Sequence, residues 1–242
     1  LLSSGLKSKK DRISMAIKCS GPIQGMDVEA NVYGEVRGYL KTGQIDVPSP
    51  EKIKYLSTLY GAGFLTVTKY LDNAPIPYSG QVALEYGSIA EDLANYFLVS
   101  EQIPTGFKLS VYFDENETVT GAGGIFLQAM PGADPETLVL AEKQIQSVVS
   151  LGESFAGGIT PETVVEQVFS ALDPCILNSS RVEFFCRCSK ERMYSYLKSL
   201  SASDKADMAQ NGPFPVLVTC HHCNSVYAFD QDELKKLDAS TA

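Results

Sequence analysis

The sequence predicts an α+β fold. It consists of a mixed-sheet core domain around a buried helix, then a helical segment, then a small C-terminal domain carrying clustered cysteines. Three observations predict it. Period-two alternation dominates the first 130 residues and is interrupted by one amphipathic helix pattern. After Pro131-Gly132 the alternation gives way to helical stripes. Four of the six cysteines then fall in two tight pairs, Cys186-Arg187-Cys188 and Cys220-His221-His222-Cys223, with 31 residues between them.

Within residues 1–132, strands are expected at Arg12 to Lys18, Gly21 to Tyr33 and Gly34 to Leu40. Gly25-Met26 and Tyr33-Gly34 serve as bulge or turn points between them. Thr42 to Pro50 reads as a loop, with two prolines in three positions. A strand over Gly63 to Lys69 puts Phe64, Thr66 and Thr68 on one face and Leu65, Val67 and Lys69 on the other. Pro75-Ile76-Pro77 turns into a short strand, Gly80 to Leu84. Ser88-Ile89-Ala90-Glu91 has capping-box spacing and starts a helix to about Ser100. Ile89, Leu93, Tyr96 and Phe97 share the face of that helix suited to burial. Phe107 to Phe113 and Thr118 to Met130 form a hairpin across the polar turn Asp114-Glu115-Asn116-Glu117. Gly121-Ala122-Gly123-Gly124 lacks the Lys-Ser or Lys-Thr of a phosphate loop and lies inside a strand pattern. Close backbone packing is therefore expected there.

Residues 133–181 carry the helical stripes. Asp134 caps a helix with Pro135 in its first turn, running to about Ser150 with Leu138, Ala141, Ile145 and Val148 in line. Thr160-Pro161 opens a second helix that buries Val164, Val165, Val168, Phe169 and Leu172. Between them, Gly152 to Gly158 reads as a connection with three glycines. Valine and glycine are poor helix formers, so these helices must lean on neighbours. In residues 182–242, strand-like runs fall at Val182 to Phe185, Pro215 to Thr219 and Ser225 to Phe229. Short helices are expected at Ser189 to Leu200 and Ser203 to Asn211. Asp230-Gln231-Asp232-Glu233 boxes a last helix ending near Leu237.

In an extended segment residues i and i+2 point the same way, so Cys186 and Cys188 can face one ion. Cys220 and Cys223 flank a two-residue turn between strand-like runs, the outline of a zinc knuckle. Four thiolates at about 2.3 Å from one zinc ion make a closed tetrahedral site with no position for a substrate water. Such a site contributes on the order of 10–16 kcal/mol of apparent folding free energy. Loss of zinc is therefore expected to unfold a domain of about 60 residues. Thiolates are also what oxidants attack first. The only two histidines, His221 and His222, lie inside the second pair and are read as turn residues or modulators of the thiolates rather than ligands. Cys19 and Cys175 have no near partner and are expected to be buried free thiols.

Composition narrows the function. Hydrophobic content of 44% and charged content of 20% are ordinary for a soluble globular protein. The net charge is -9. Residues 183–242 hold 7 Lys/Arg against 8 Asp/Glu, leaving 13 against 21 for 1–182, so no surface is built for nucleic acid. No apolar run is long enough to span a bilayer, and no basic and apolar leader opens the chain. Paired cysteines in that setting point to the reducing cytoplasm and to metal or redox chemistry. The chain begins at Leu1 rather than Met, read as a missing natural N-terminus. No histidine outside 221–222 is available as a general base, which disfavours an esterase. Two rivals stay open. A plain zinc module would want a basic or aromatic binding face. A thiol–disulfide oxidoreductase would want a helix, not a strand, after its cysteine pair.

Cys-Arg-Cys-Ser-Lys-Glu-Arg at 186–192, Cys-His-His-Cys at 220–223, and Tyr227 and Phe229 closely resemble the heat shock protein 33 family of redox-regulated holdase chaperones. Gly34-Glu35-Val36-Arg37-Gly38-Tyr39, Gly63 to Lys69, Tyr78-Ser79-Gly80-Gln81-Val82 and Ile89 to Ala94 agree with it. The family's N-terminal strand-and-helix segment is expected to be missing. The resemblance implies a core domain over 1–132, a metastable helical linker over 133–181 and a zinc-binding switch domain over 182–242. It implies one zinc ion on Cys186, Cys188, Cys220 and Cys223 in the reduced, inactive state. Oxidation would convert Cys186–Cys188 and Cys220–Cys223 to disulfides, release zinc and loosen the linker. The uncovered apolar surface would bind unfolding client proteins without ATP or catalysis, in a form that tends to dimerise.

Overall fold

The computed structural model describes residues 1–45 and 57–238, so residues 46–50 of the expected Thr42 to Pro50 loop lie outside the described residues. The chain divides into two compact units, Leu1–Glu183 and Phe184–Ala242. Together they give the expected α+β class, with a four-cysteine cluster near the C-terminus.

The first unit is built on antiparallel strands β1 (Arg12–Cys19), β2 (Gly25–Asn31), β3 (Glu35–Leu40), β4 (Gly63–Tyr70) and β5 (Tyr78–Ala83). They lie in the order β5-β4-β1-β2-β3. A short helix, α1 (Ser57–Tyr60), precedes β4. Register explains the core. Ile17 stands opposite Leu65, and Leu65 opposite Val82, so one row of branched side chains crosses three strands. All three are buried. The alternation read along 63–69 holds, with Leu65 and Val67 inside and Phe64 exposed. The strand expected from Gly21 begins only at Gly25. Residues 21–24 instead make a turn against α1, where Gly21 N donates to Tyr60 O at 2.7 Å. Gln24 and Gly25 turn the chain at φ 55 and 139.

Helix α2 (Ile89–Tyr96) covers this sheet and buries Leu93 and Tyr96. The side chain of its N-cap, Ser88, accepts from Glu91 N. The helix was expected to reach Ser100. It does so by widening into a π-turn over Phe97–Glu101, and stops where Gln102 takes φ 57. Phe97 then meets Phe107 and Phe126, at ring centroid distances of 5.6 and 5.4 Å. Those two rings belong to the expected hairpin, β6 (Thr105–Phe113) and β7 (Val119–Gln128). Asp114 pins its turn by accepting from Asn116 N and Thr118 N.

Helices α3 (Pro135–Ser147), α4 (Leu151–Ala156) and α5 (Pro161–Val168) follow within the same unit. Asp134 and Thr160 cap α3 and α5 as expected. Helix α4 occupies the stretch read as a glycine connection. Ser150 caps it, and Leu151 and Gly152 are buried on the hairpin. The glycines of β7 make room for it. A Cβ on Gly121 would meet Gly152 O at 2.0 Å, and one on Gly123 would meet the Phe155 ring at 2.1 Å. Gly152 N donates to Ser110 Oγ at 2.7 Å, so its buried amide is satisfied. The unit ends at Glu183 of β8 (Glu183–Phe184), whose N–H donates to Gly34 O.

The second unit contains α6 (Lys190–Lys198), α7 (Ala202–Asn211), the hairpin β9 (Val216–Thr219) and β10 (Val226–Phe229), and α8 (Gln231–Asp238). Ser189 and Ser201 cap α6 and α7. The box expected at α8 forms on both sides: Glu233 N donates to Asp230 Oδ1 at 2.8 Å, and Asp230 N donates to Glu233 Oε2 at 3.0 Å. Met193, Leu197, Phe229, Leu234 and Leu237 make the apolar centre, on which the four paired cysteines also pack. Among the described residues, no helix is long and apolar enough to cross a membrane.

Candidate metal centre

Strand β9 delivers Cys220 to the interior of the second unit, and a tight turn brings Cys223 back beside it. Cys220 N donates to Ser225 O at 2.9 Å and Asn224 N donates to Cys220 O at 2.9 Å. Asn224 closes the turn at φ 56, a left-handed conformation that asparagine tolerates. Cys186 and Cys188 lie on a stretch without helix or strand, which ends at the Ser189 cap of α6. Cys220 is buried and the other three are half-buried.

The four sulfurs converge. Cys186 Sγ lies 3.7 Å from Cys220 Sγ, and Cys188 Sγ lies 3.3 Å from Cys223 Sγ. All four lie within 4.8 Å of one another. A tetrahedron of sulfurs about 2.3 Å from a zinc ion has edges of roughly 3.8 Å. The donor set, its spacing and its seat in an apolar core therefore fit a thiolate-bound ion. His221 and His222 are not among the converging groups.

The surroundings treat the sulfurs unequally. Burial pushes the Cys186 thiol up to about 12. The Ser225 hydroxyl, 3.2 Å from Cys223 Sγ, together with the Ser225 backbone and the Cys188 sulfur, draws the Cys223 thiol down to about 6. Tyr227 donates its hydroxyl to Cys188 Sγ at 3.0 Å, and that bond pushes the phenol up to about 12. The sequence alone assigns Tyr227 no role at the metal centre. The signal was present, because Tyr227 lies two residues from the fully buried Phe229 on β10 and so points inward with it. The segment after Cys223 is a strand, not the helix that an oxidoreductase pair would use to activate its first thiol.

The remaining cysteines depart from expectation. Both are free, but Cys19 is only half-buried at the end of β1 and Cys175 is exposed. Cys175 follows the left-handed Asp173 in a stretch without helix or strand, which carries its side chain away from any core.

The family model described as Hsp33 protein matches residues 1–230. The 33 kDa chaperonin of Agathobacter rectalis is 36% identical, over 98% of this chain and 84% of its own length. That of Lachnoclostridium phytofermentans is 34% identical, over 98% and 81%. The crystal structure of the 33 kDa chaperonin, or heat shock protein 33 homolog, from Thermotoga maritima superposes with a TM-score of 0.84 at 30% identity. That superposition covers 99% of this chain and 81% of the other. Whole-chain similarity in sequence and fold, around converging cysteine pairs of the expected spacing, places this chain in the Hsp33 family of chaperones.

Proposed function

We propose that the chain is a redox-regulated, ATP-independent holdase of the cytoplasm, without enzymatic activity. In its reduced form Cys186, Cys188, Cys220 and Cys223 hold one zinc ion and the chaperone is off. The observation that carries the reading is the convergence of four sulfurs within 4.8 Å in the core of a small unit. The ion, when bound, supplies the cross-link that a core of this size lacks. Oxidation pairs Cys186 with Cys188 and Cys220 with Cys223. For each disulfide two thiolates give up two electrons, and peroxide with two protons becomes two water molecules. The site then has no donors left to hold the ion.

The division of labour follows the layout 1–132, 133–181 and 182–242. The second unit senses oxidant. Helices of residues 133–181 cover the β6–β7 hairpin until they loosen. The uncovered apolar surface then holds unfolding clients, in a dimer. Support for a linker that loosens readily comes from α4, a helix of six residues with a glycine in its first turn, which depends on tertiary contacts for its stability.

The test measures bound zinc, free thiols and suppression of client aggregation before and after peroxide. The expected result is loss of zinc and of four thiols together with a gain of holdase activity. Zinc retained at full occupancy while activity rises overturns the switch, and equal activity in both states leaves an ordinary binding module.

A further inference from the structure

We infer that Tyr227 is a positioning residue for the metal centre: its hydroxyl holds the Cys188 thiolate, ties the two cysteine pairs together and slows oxidation of that sulfur. The inference rests on the four-thiolate reading above.

The geometry is specific. Cys186 and Cys188 lie on one segment of the unit, and Cys220 and Cys223 on the β9–β10 hairpin. Tyr227 belongs to the hairpin, opposite Val218, yet donates at 3.0 Å to a sulfur of the other segment, 39 residues away. Its ring packs on the core shared by the cysteines, so the hydroxyl is delivered by a half-buried, rigid side chain. Ser225, beside Cys223, is exposed and belongs to the same turn as that cysteine. Water can replace its contact, but not the strut made by Tyr227.

A hydrogen bond donated to a metal-bound thiolate withdraws lone-pair density from sulfur. The same bond fixes the sulfur in place for the ion, and loss of an orienting partner of this kind usually costs about 10-fold to 100-fold in metal affinity, which outweighs the gain in donor density. The bond also lowers sulfur's nucleophilicity. In attack on peroxide the sulfur–oxygen bond forms, the oxygen–oxygen bond breaks, and hydroxide leaves and takes a proton as water. The partner thiolate then displaces hydroxide from the sulfenic acid to close the disulfide. Less density on Cys188 slows the first of these steps.

The experiment compares the full chain with Tyr227→Phe and Tyr194→Phe. Tyr194 is the control: it lies in the same unit and donates its hydroxyl to Glu233 O, not to sulfur. Cobalt(II) is loaded in place of zinc, and the thiolate-to-cobalt charge-transfer band is recorded. Zinc affinity is measured by chelator competition, and peroxide-driven zinc release by a chromophoric chelator. Tyr227→Phe is expected to move the band to lower energy, weaken zinc by roughly 10-fold or more and speed its release. Tyr194→Phe is expected to leave the band in place. An unchanged band and affinity in Tyr227→Phe overturns the role of Tyr227 while leaving the metal centre standing. A band shifted equally by both variants also overturns it, since the effect is then one of general loosening. No cobalt or zinc bound by the unsubstituted chain overturns the metal reading and this inference with it.

Discussion

The contact between α4 and the β6–β7 hairpin can be loosened by one methyl group. Gly121 faces α4 from β7, and a Cβ there would stand 2.0 Å from Gly152 O, 2.8 Å from Ala156 N and 3.0 Å from Ala156 Cβ. Close carbon–oxygen contacts in proteins settle near 3.3 Å, so Gly121→Ala demands a displacement on the order of 1 Å. The nearest obstacles are backbone atoms, which cannot rotate aside. Hairpin and helix must therefore separate. Overpacking of this kind costs about 1–3 kcal/mol, which enlarges the undocked population roughly 5-fold to 150-fold. Amide hydrogen exchange at Gly152 and Ser154 reads it directly. The first donates to Ser110 Oγ and the second to Ser150 O in the docked state. Amides of β1 and β4 serve as the internal standard. If the proposed linker mechanism holds, the variant also suppresses client aggregation at lower peroxide than the parent. Unchanged exchange in α4, with unchanged global stability, would refute the packing argument. Faster exchange without any change in peroxide dose would separate docking of α4 from control of the chaperone.

Three further outcomes follow from other parts of the chain. Cys220→Ser removes the one fully buried donor, and is expected to abolish stoichiometric zinc binding and the thermal transition of the second unit. Chelator added to the parent should reproduce that loss, as followed by circular dichroism. Asp92, 1% exposed, accepts from Glu85 N at 2.9 Å and Tyr86 N at 3.2 Å, so Asp92→Ala should cost roughly 2–4 kcal/mol in urea unfolding with an unchanged m-value. Asp11 accepts from the N–H groups of Asp72, Ser8 and Lys7, and the Asp72 bond above all lowers its pKa below the ordinary 3.8. A lowered folded-state value means that its stabilisation is present above the ordinary value and is lost as pH falls through the lowered one. The stability gap between the parent and Asp11→Asn should therefore be constant near neutrality and close in acid.

What the sequence revealed, and what it hid, divides by the range of the interaction. Period-two alternation found β4 because Leu65 and Val67 need only one buried face to declare themselves. The Asp230 and Glu233 box was legible because both of its hydrogen bonds span three residues. The four thiols were legible because metal chemistry accepts few donor patterns. Helix α4 was hidden by Gly152, Gly157 and Gly158, residues that oppose a helix locally. Gly152 is there for a tertiary reason: a Cβ on it would meet Tyr112 N at 2.7 Å. The local clue that survived was Ser150 with Glu153 three residues later, since Ser150 does cap the helix. The turn at 21–24 was hidden for the same kind of reason, because its partner Tyr60 lies far along the chain.

The two units rest on different kinds of stabilisation, and that difference is what the proposed switch would exploit. The first has a row of branched residues across three strands, closed by the contacts of Phe97, Phe107 and Phe126. No single covalent change removes such a core. The second has a short set of buried apolar side chains with sulfurs packed among them. A zinc ion held there, as proposed, would contribute about as much free energy as a whole domain usually possesses in net stability. On the proposed reading, oxidation of four atoms is therefore expected to erase the fold of the second unit and leave the sheet of the first intact. Helix α4 belongs to the first unit, and with six residues and a glycine in its first turn it depends on its packing against the β6–β7 hairpin. On the proposed reading, a large loss at the sulfurs then needs to shift only this local balance.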